Sequence, residues 1–168
     1  MTCPIEIRPI HRGTAGRPGV YQPRRRGGQG THEQTIVMAV DAGANNVVAG
    51  SFVILIGTGS EVALCVAAYE ALIKEGIAAR VVSMPCWELF ERQDQAYRDG
   101  VLPPRVRARV AVEEGADFGW CRYAGIDGAI IGMETFGASA PIQKVQEMFG
   151  FEPAHVIQAA RDQLARQA

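Results

Sequence analysis

Gly57-Thr58-Gly59-Ser60-Glu61 sets two glycines, two hydroxyls and a carboxylate between the apolar run Val53-Ile54-Leu55-Ile56 and a helix-like stretch. Backbone N–H groups at a helix start, aided by the helix dipole, can hold a phosphate or carboxylate. Gly57, Thr58, Gly59 and Ser60 are therefore the candidate anion-binding residues, although Glu61 in the first turn opposes an anion. The spacing is not a dinucleotide fingerprint, because Val62 stands where a third glycine belongs. It is not a P-loop, because no Gly-Lys-Ser/Thr follows. Ser60 lacks the Gly-x-Ser-x-Gly frame of an activated serine nucleophile. The plainer reading is a turn made by the glycines and a helix capped by Ser60.

Other reactive side chains are scattered. Glu113 and Glu114 are adjacent at a strand end, where neighbours point to opposite faces, so they do not form a proton-sharing pair. Phe118, Trp120 and Tyr123 suit packing beneath a long loop better than a ligand pocket. His155 sits beside the apolar stripe of the last helix, at its boundary. Cysteines 3, 65, 86 and 121 and histidines 11, 32 and 155 show no metal-ligand spacing. From the residues alone, no catalytic side chain and no metal ligand is assigned.

The elements that position these residues alternate. Residues 35–41 read as a short strand, followed by turn signals at Gly43, Asn45, Asn46 and Gly50. Strands are expected at Phe52–Ile56, Ala79–Met84, Ala108–Val112 and Ala129–Ile131. A helix is expected over Ser60–Glu75, closed by Gly76, and a short one over Glu88–Gln93. Leu102-Pro103-Pro104 reads as a loop and 115–128 as irregular. Ser139 is the expected cap of a helix with Pro141 in its first turn, Ile142, Val145 and Phe149 on one face, and Gly150 at its end. The last helix begins near Pro153 with the stripe Val156, Ile157, Ala160 and Leu164. This alternation predicts a three-layer α/β/α fold with a mostly parallel, mixed sheet of about five strands. Val62 to Ala68 leave the first helix almost no polar face, which predicts burial on more than one side, part of it against another domain or subunit.

Charge divides the chain. Residues 1–30 hold six arginines against Glu6, while the rest of the chain holds 11 basic and 17 acidic side chains. Residues 1–34, rich in Arg, Gly and Pro, are expected to be disordered or loosely packed, and 35–168 to form the folded domain. Tyr21 is the arm's sole aromatic, so nucleic acid is not the expected partner. No apolar run is long enough to span a bilayer, and Pro4, Glu6, Arg8 and Pro9 interrupt any signal-like core. A cytoplasmic protein with reduced cysteines is expected.

Ordered short motifs add a resemblance. They are Ile-Gly-Thr-Gly-Ser-Glu-Val (56–62), Arg-Val-Val-Ser-Met-Pro (80–85), Leu-Phe-Glu-Arg-Gln-Asp (89–94) and Tyr-Arg-Asp-Gly-Val-Leu-Pro (97–103). Arg-Val-Ala-Val-Glu (109–113), Gly-Ala-Ile-Ile-Gly-Met (128–133), Thr-Phe-Gly-Ala-Ser-Ala-Pro (135–141) and Phe-Gly-Phe (149–151) follow. From about Val53 to Leu164 the chain resembles the C-terminal domain of transketolases. The first 50 residues depart from that pattern. The resemblance implies a domain that packs on two thiamine-diphosphate domains and contributes to a homodimer. It implies that thiamine diphosphate and Mg2+, or another divalent cation, belong to the parent enzyme, which transfers ketol units between sugar phosphates in the pentose phosphate pathway. The catalytic motifs of those two domains are missing from these motifs, so no catalytic residue and no cofactor is carried over to this chain. The implied role is a docking and dimerisation domain, with a homo-oligomer or the missing transketolase domains as partner. The alternative is a stand-alone anion or nucleic-acid binding module using Gly57–Glu61 and the basic arm.

Overall fold

A computed structural model describes residues 52–167 in full and the backbone of 38–41. The basic arm, the turn signals at 43–50 and residues 35–37 of the first expected strand lie outside the described residues. The strands are β1 (Met38–Asp41), β2 (Phe52–Gly57), β3 (Ala78–Ser83), β4 (Arg109–Ala116) and β5 (Ala129–Met133). The helices are α1 (Glu61–Lys74), α2 (Trp87–Glu91), α3 (Gln95–Val101), α4 (Cys121–Ala124), α5 (Ile142–Phe149) and α6 (Pro153–Ala165). They form a five-stranded sheet of order β1-β3-β2-β4-β5. β1 runs antiparallel to β3, and the other pairings are parallel. The expected mixed, mostly parallel α/β architecture is therefore the one found.

β2 lies at the centre and is buried along its whole length, as expected for a continuous apolar run inside a parallel sheet. Its alternating side chains feed two cores. Val53 and Leu55 pack with Cys65, Ala68 and Leu72 of α1 and Val156 and Ala160 of α6. Ile54 and Ile56 pack on the opposite face with Phe90, Val101, Trp120 and Tyr123.

α1 ends where Gly76 was expected to stop it. Gly76 has φ +81° and donates to the Ile73 carbonyl, while Ile77 donates to Leu72. This paired closure needs a left-handed residue, which glycine supplies without strain. The solvent side of α1 is narrow: Ala63, Ala67, Glu70 and Lys74. The rest of its apolar surface packs against the sheet and α6, so α1 is buried on more than one side, as expected. α6 also ties to the end of α1 through Arg161 and Glu75 at 2.8 Å.

Three differences from the sequence expectations have local causes. α3 was not anticipated; Asp94 caps it by accepting from the Tyr97 N–H at 2.7 Å, and the run of prolines at 103–104 stops it. α4 interrupts the stretch read as irregular. α5 starts after Pro141 without a side-chain cap, so Ser139 does not cap it. Half-buried Arg109 secures the loop before β4 by donating to the carbonyls of Val106, Tyr123 and Pro103. Burial lowers its pKa, but its carbonyl partners suit the charged form.

Candidate functional site

The turn from Gly57 to Glu61 leaves the carboxyl end of the central strand, the usual ligand-facing edge of an open parallel sheet. Gly57 is required there by close approach. A Cβ on it would lie 3.2 Å from both Cys65 Sγ and the Val62 nitrogen. The turn closes with Glu61 N–H donating to the Thr58 carbonyl at 3.0 Å.

The two hydroxyls of the turn are committed to carboxylates. Thr58 Oγ1 donates to Glu113 Oε2 at 2.7 Å, which links the end of β2 to β4. Ser60 Oγ donates to Glu61 Oε1 at 2.8 Å and makes no capping bond. Ser60 lies in a helical conformation, whereas a capping residue is extended. The expected Ser60 cap is therefore absent. An anion at Gly57, Thr58, Gly59 and Ser60 would face Glu61 and Glu113 and would have to break these bonds, so the local charge works against that reading. Beneath the turn, burial pushes the Cys65 thiol up to about 12, with the Glu61 charge adding to the shift.

Glu113 and Glu114 diverge, as strand geometry required. Glu113 also accepts from the Gly115 N–H at 3.2 Å, and Glu114 accepts from Gln146 of α5 at 3.1 Å. His155 is exposed, with Nδ1 2.9 Å from the Gly150 carbonyl at the end of α5. Among the described residues, no group of three or more His, Cys, Asp and Glu side chains converges as a metal site.

The aromatics separate into two groups. Trp120 and Tyr123 are buried with Trp87, which the sequence reading had passed over. Trp87 meets Trp120 edge-on at 5.0 Å and Tyr123 at 5.1 Å. Tyr123 Oη has no hydrogen-bond partner within 3.5 Å among the described residues, and burial, more than the nearby Glu91, raises its pKa to about 12. Phe118, grouped with them by sequence, is 88% exposed.

Phe118 belongs instead to an apolar surface at the carboxyl ends of β4 and β5. Ala116 pairs with Met133, so the loops that follow leave the sheet side by side. Phe118 projects from one and Phe136, 98% exposed, from the other. Every residue from Glu134 to Lys144 is exposed, and α5 has no buried residue. Ile142, expected on one face with Val145 and Phe149, is 61% exposed, and Met148 is 64% exposed. Val145 and Phe149 are half-buried, so α5 rests on the domain without entering its core.

Comparison with known proteins fits this geometry. The profile of the family described as "Transketolase-like TK C-terminal domain" matches residues 42–152. Transketolase 1 of Escherichia coli is 55% identical over 111 residues, which is 66% of this chain but 17% of that protein. The chain thus matches less than a fifth of the relative's length. The solved transketolase from Leishmania mexicana superposes with TM-score 0.68 at 38% identity, over 79% of this chain and 18% of that one. A more distant structure, titled a split gene transketolase in an inactive beta4 tetramer, shares the fold with TM-score 0.54 at 22% identity. It covers 71% of this chain and 41% of its own.

Proposed function

This chain belongs to the transketolase C-terminal domain family, and from that premise we propose that it is a docking and dimer-forming domain that does not catalyse on its own. The observation that carries this reading is the uncovered apolar surface of Phe118, Phe136, Ile142 and Met148. Exposed apolar groups on adjoining loops and the helix that follows them are a mark of an interaction surface. In this reading residues 35–168 are the folded unit and 1–34 a basic arm. The occupant of the surface is either the remaining transketolase domains or a second copy, in a cytoplasmic assembly. The parent activity is ketol transfer between sugar phosphates in the pentose phosphate pathway.

The cofactors of that activity do not fit this chain. A diphosphate with a divalent cation needs converging oxygen donors, and no such cluster exists among the described residues. The turn at 57–61 presents carboxylates, which repel a diphosphate. In this reading thiamine diphosphate and Mg2+ belong to the partner domains, and no step of the reaction is assigned to residues here. The split, inactive tetramer among the fold neighbours gives a precedent for a separately encoded piece that assembles without turnover.

The test is a transketolase assay on the purified chain with thiamine diphosphate, Mg2+, a ketose-phosphate donor and an aldose-phosphate acceptor. No turnover alone, with turnover after adding the two preceding domains of a relative, is the expected result. Turnover by the chain alone would overturn the reading.

A further inference from the structure

At the other end of the sheet, where β4 and β5 begin, lies a recess of about 460 Å3 lined by Arg107, Asp127, Gln163, Arg166 and Gln167. Arg107 precedes β4, and Asp127 precedes β5, its neighbour in the sheet. The other three residues come from the carboxyl end of α6. Two features set the recess apart from an ordinary charged surface. Gln163 is 2% exposed, and its side-chain amide makes no hydrogen bond with another described residue. It stands on the apolar stripe of α6, three residues after Ala160 and seven after Val156, where an aliphatic side chain would pack without an unmet polar group. Its amide instead lines a polar cavity.

The second feature is charge. Asp127 pairs with Arg107 at 2.6 Å, while Arg166 has no carboxylate partner among the described residues. The lining therefore carries one positive charge in excess. Guanidinium forks match carboxylate and phosphate oxygens. The carboxyl end of α6 opposes an anion, but two of its last carbonyls are already engaged: Arg166 N–H donates to Asp162 and Gln167 N–H to Leu164.

We propose that this recess binds a small anion through a carboxylate or phosphate group, held by Arg166 and Arg107, with the Gln163 amide at its floor. The site is separate from the apolar docking surface and does not depend on it. A ligand there would bridge α6 to the loops before β4 and β5.

The experiment is an NMR titration of the 15N-labelled full chain with inorganic phosphate and, separately, sodium acetate, at constant ionic strength. Saturating shifts of the Gln163 side-chain NH2 and of the Arg166 and Gln167 amides are expected. Saturation by phosphate at lower concentration than acetate identifies a phosphoryl ligand, and the reverse identifies a carboxylate. Arg166→Gln is expected to weaken binding about tenfold, the loss of one charge-assisted contact, while Lys74→Gln leaves it unchanged. Gln163→Leu is expected to lose phosphate binding and to raise the melting temperature. Linear shifts without saturation, equal binding by Arg166→Gln, or undiminished binding by a folded Gln163→Leu would each overturn the proposal.

Discussion

Strand β2 and the segment from Glu134 to Phe149 are both rich in apolar side chains, and they meet opposite fates. Phe52 to Ile56 are buried on both faces of the sheet. Phe136, Ile142 and Met148 stand in solvent, and nothing in α5 is buried. The difference lies in what surrounds each. β2 has strands on both sides and helices on both faces, so every apolar group has a partner within this chain. The segment after β5 leaves the sheet edge, where no further strand or helix among the described residues covers it. Burial in the first region is what makes the domain fold, and exposure in the second is what the docking proposal rests on.

The comparison is broken most severely at its closed side. Leu72→Ala removes a fully buried side chain between α1 and the sheet, with an expected loss of about 2–5 kcal/mol, read from the urea midpoint. Gly57→Val comes next. Its added carbons would press on Cys65 and the backbone of α1, and overpacking of this kind costs about 1–3 kcal/mol. Gly76→Ala forces a Cβ into a left-handed position with open space around it. It should lower stability by about 1 kcal/mol. A loss for Gly76→Ala as large as for Leu72→Ala would mean that the end of α1 is packed more tightly than its geometry shows.

The closed region was also the legible one. Phe52–Ile56 announces a buried strand by composition, and Gly76 announces a helix end by its backbone freedom. The helix after β5 was legible but its exposure was not, for a physical reason: Ile142, Val145 and Phe149 have helical spacing whether the face they share meets this chain or another. Periodicity reports that a face is apolar and not what covers it. α1 was more legible, because a helix apolar on nearly every side must be buried on more than one, and the sheet and α6 bury it so. The candidate turn was placed correctly at the end of β2. Its hydrogen bonding was not legible, since Thr58 and Glu113 are far apart in sequence and meet only through the pairing of β2 with β4. The α6 recess left a single signal, a glutamine on an apolar stripe.

On the open side the expected change in stability is small. Phe136→Ser removes an uncovered side chain and should shift stability by no more than about 0.5 kcal/mol. Its effect should fall on assembly: sedimentation equilibrium of the wild-type chain should show self-association, or capture of the added partner domains, that the variant loses. A variant that unfolds would place Phe136 in the core. A wild-type chain that stays monomeric at high concentration and ignores the partner domains would remove the docking role altogether.

The same contrast of covered and uncovered groups holds last for the thiols of α1 and α4, where the effect at neutral pH is smallest. Cys65 is buried under the turn with a pKa near 12, raised from 9.0 by burial first and by Glu61 second. Cys121 is exposed. A thiolate reagent should modify Cys121 rapidly and Cys65 only after unfolding, as mass spectrometry of the labelled peptides would show. The same shift sets a sign for stability. Below pH 9 the Cys65 thiol is protonated in both folded and unfolded chains, so its protonation leaves stability unchanged there. Between pH 9 and about 12 the unfolded thiol ionises while the folded one does not, so stability falls as pH rises through this window. Cys65→Ala should flatten that alkaline decline, although the lost sulfur lowers stability at neutral pH. An unchanged slope would show that the thiol ionises as readily in the folded chain as in the unfolded one, and that the core beneath the turn is open to water.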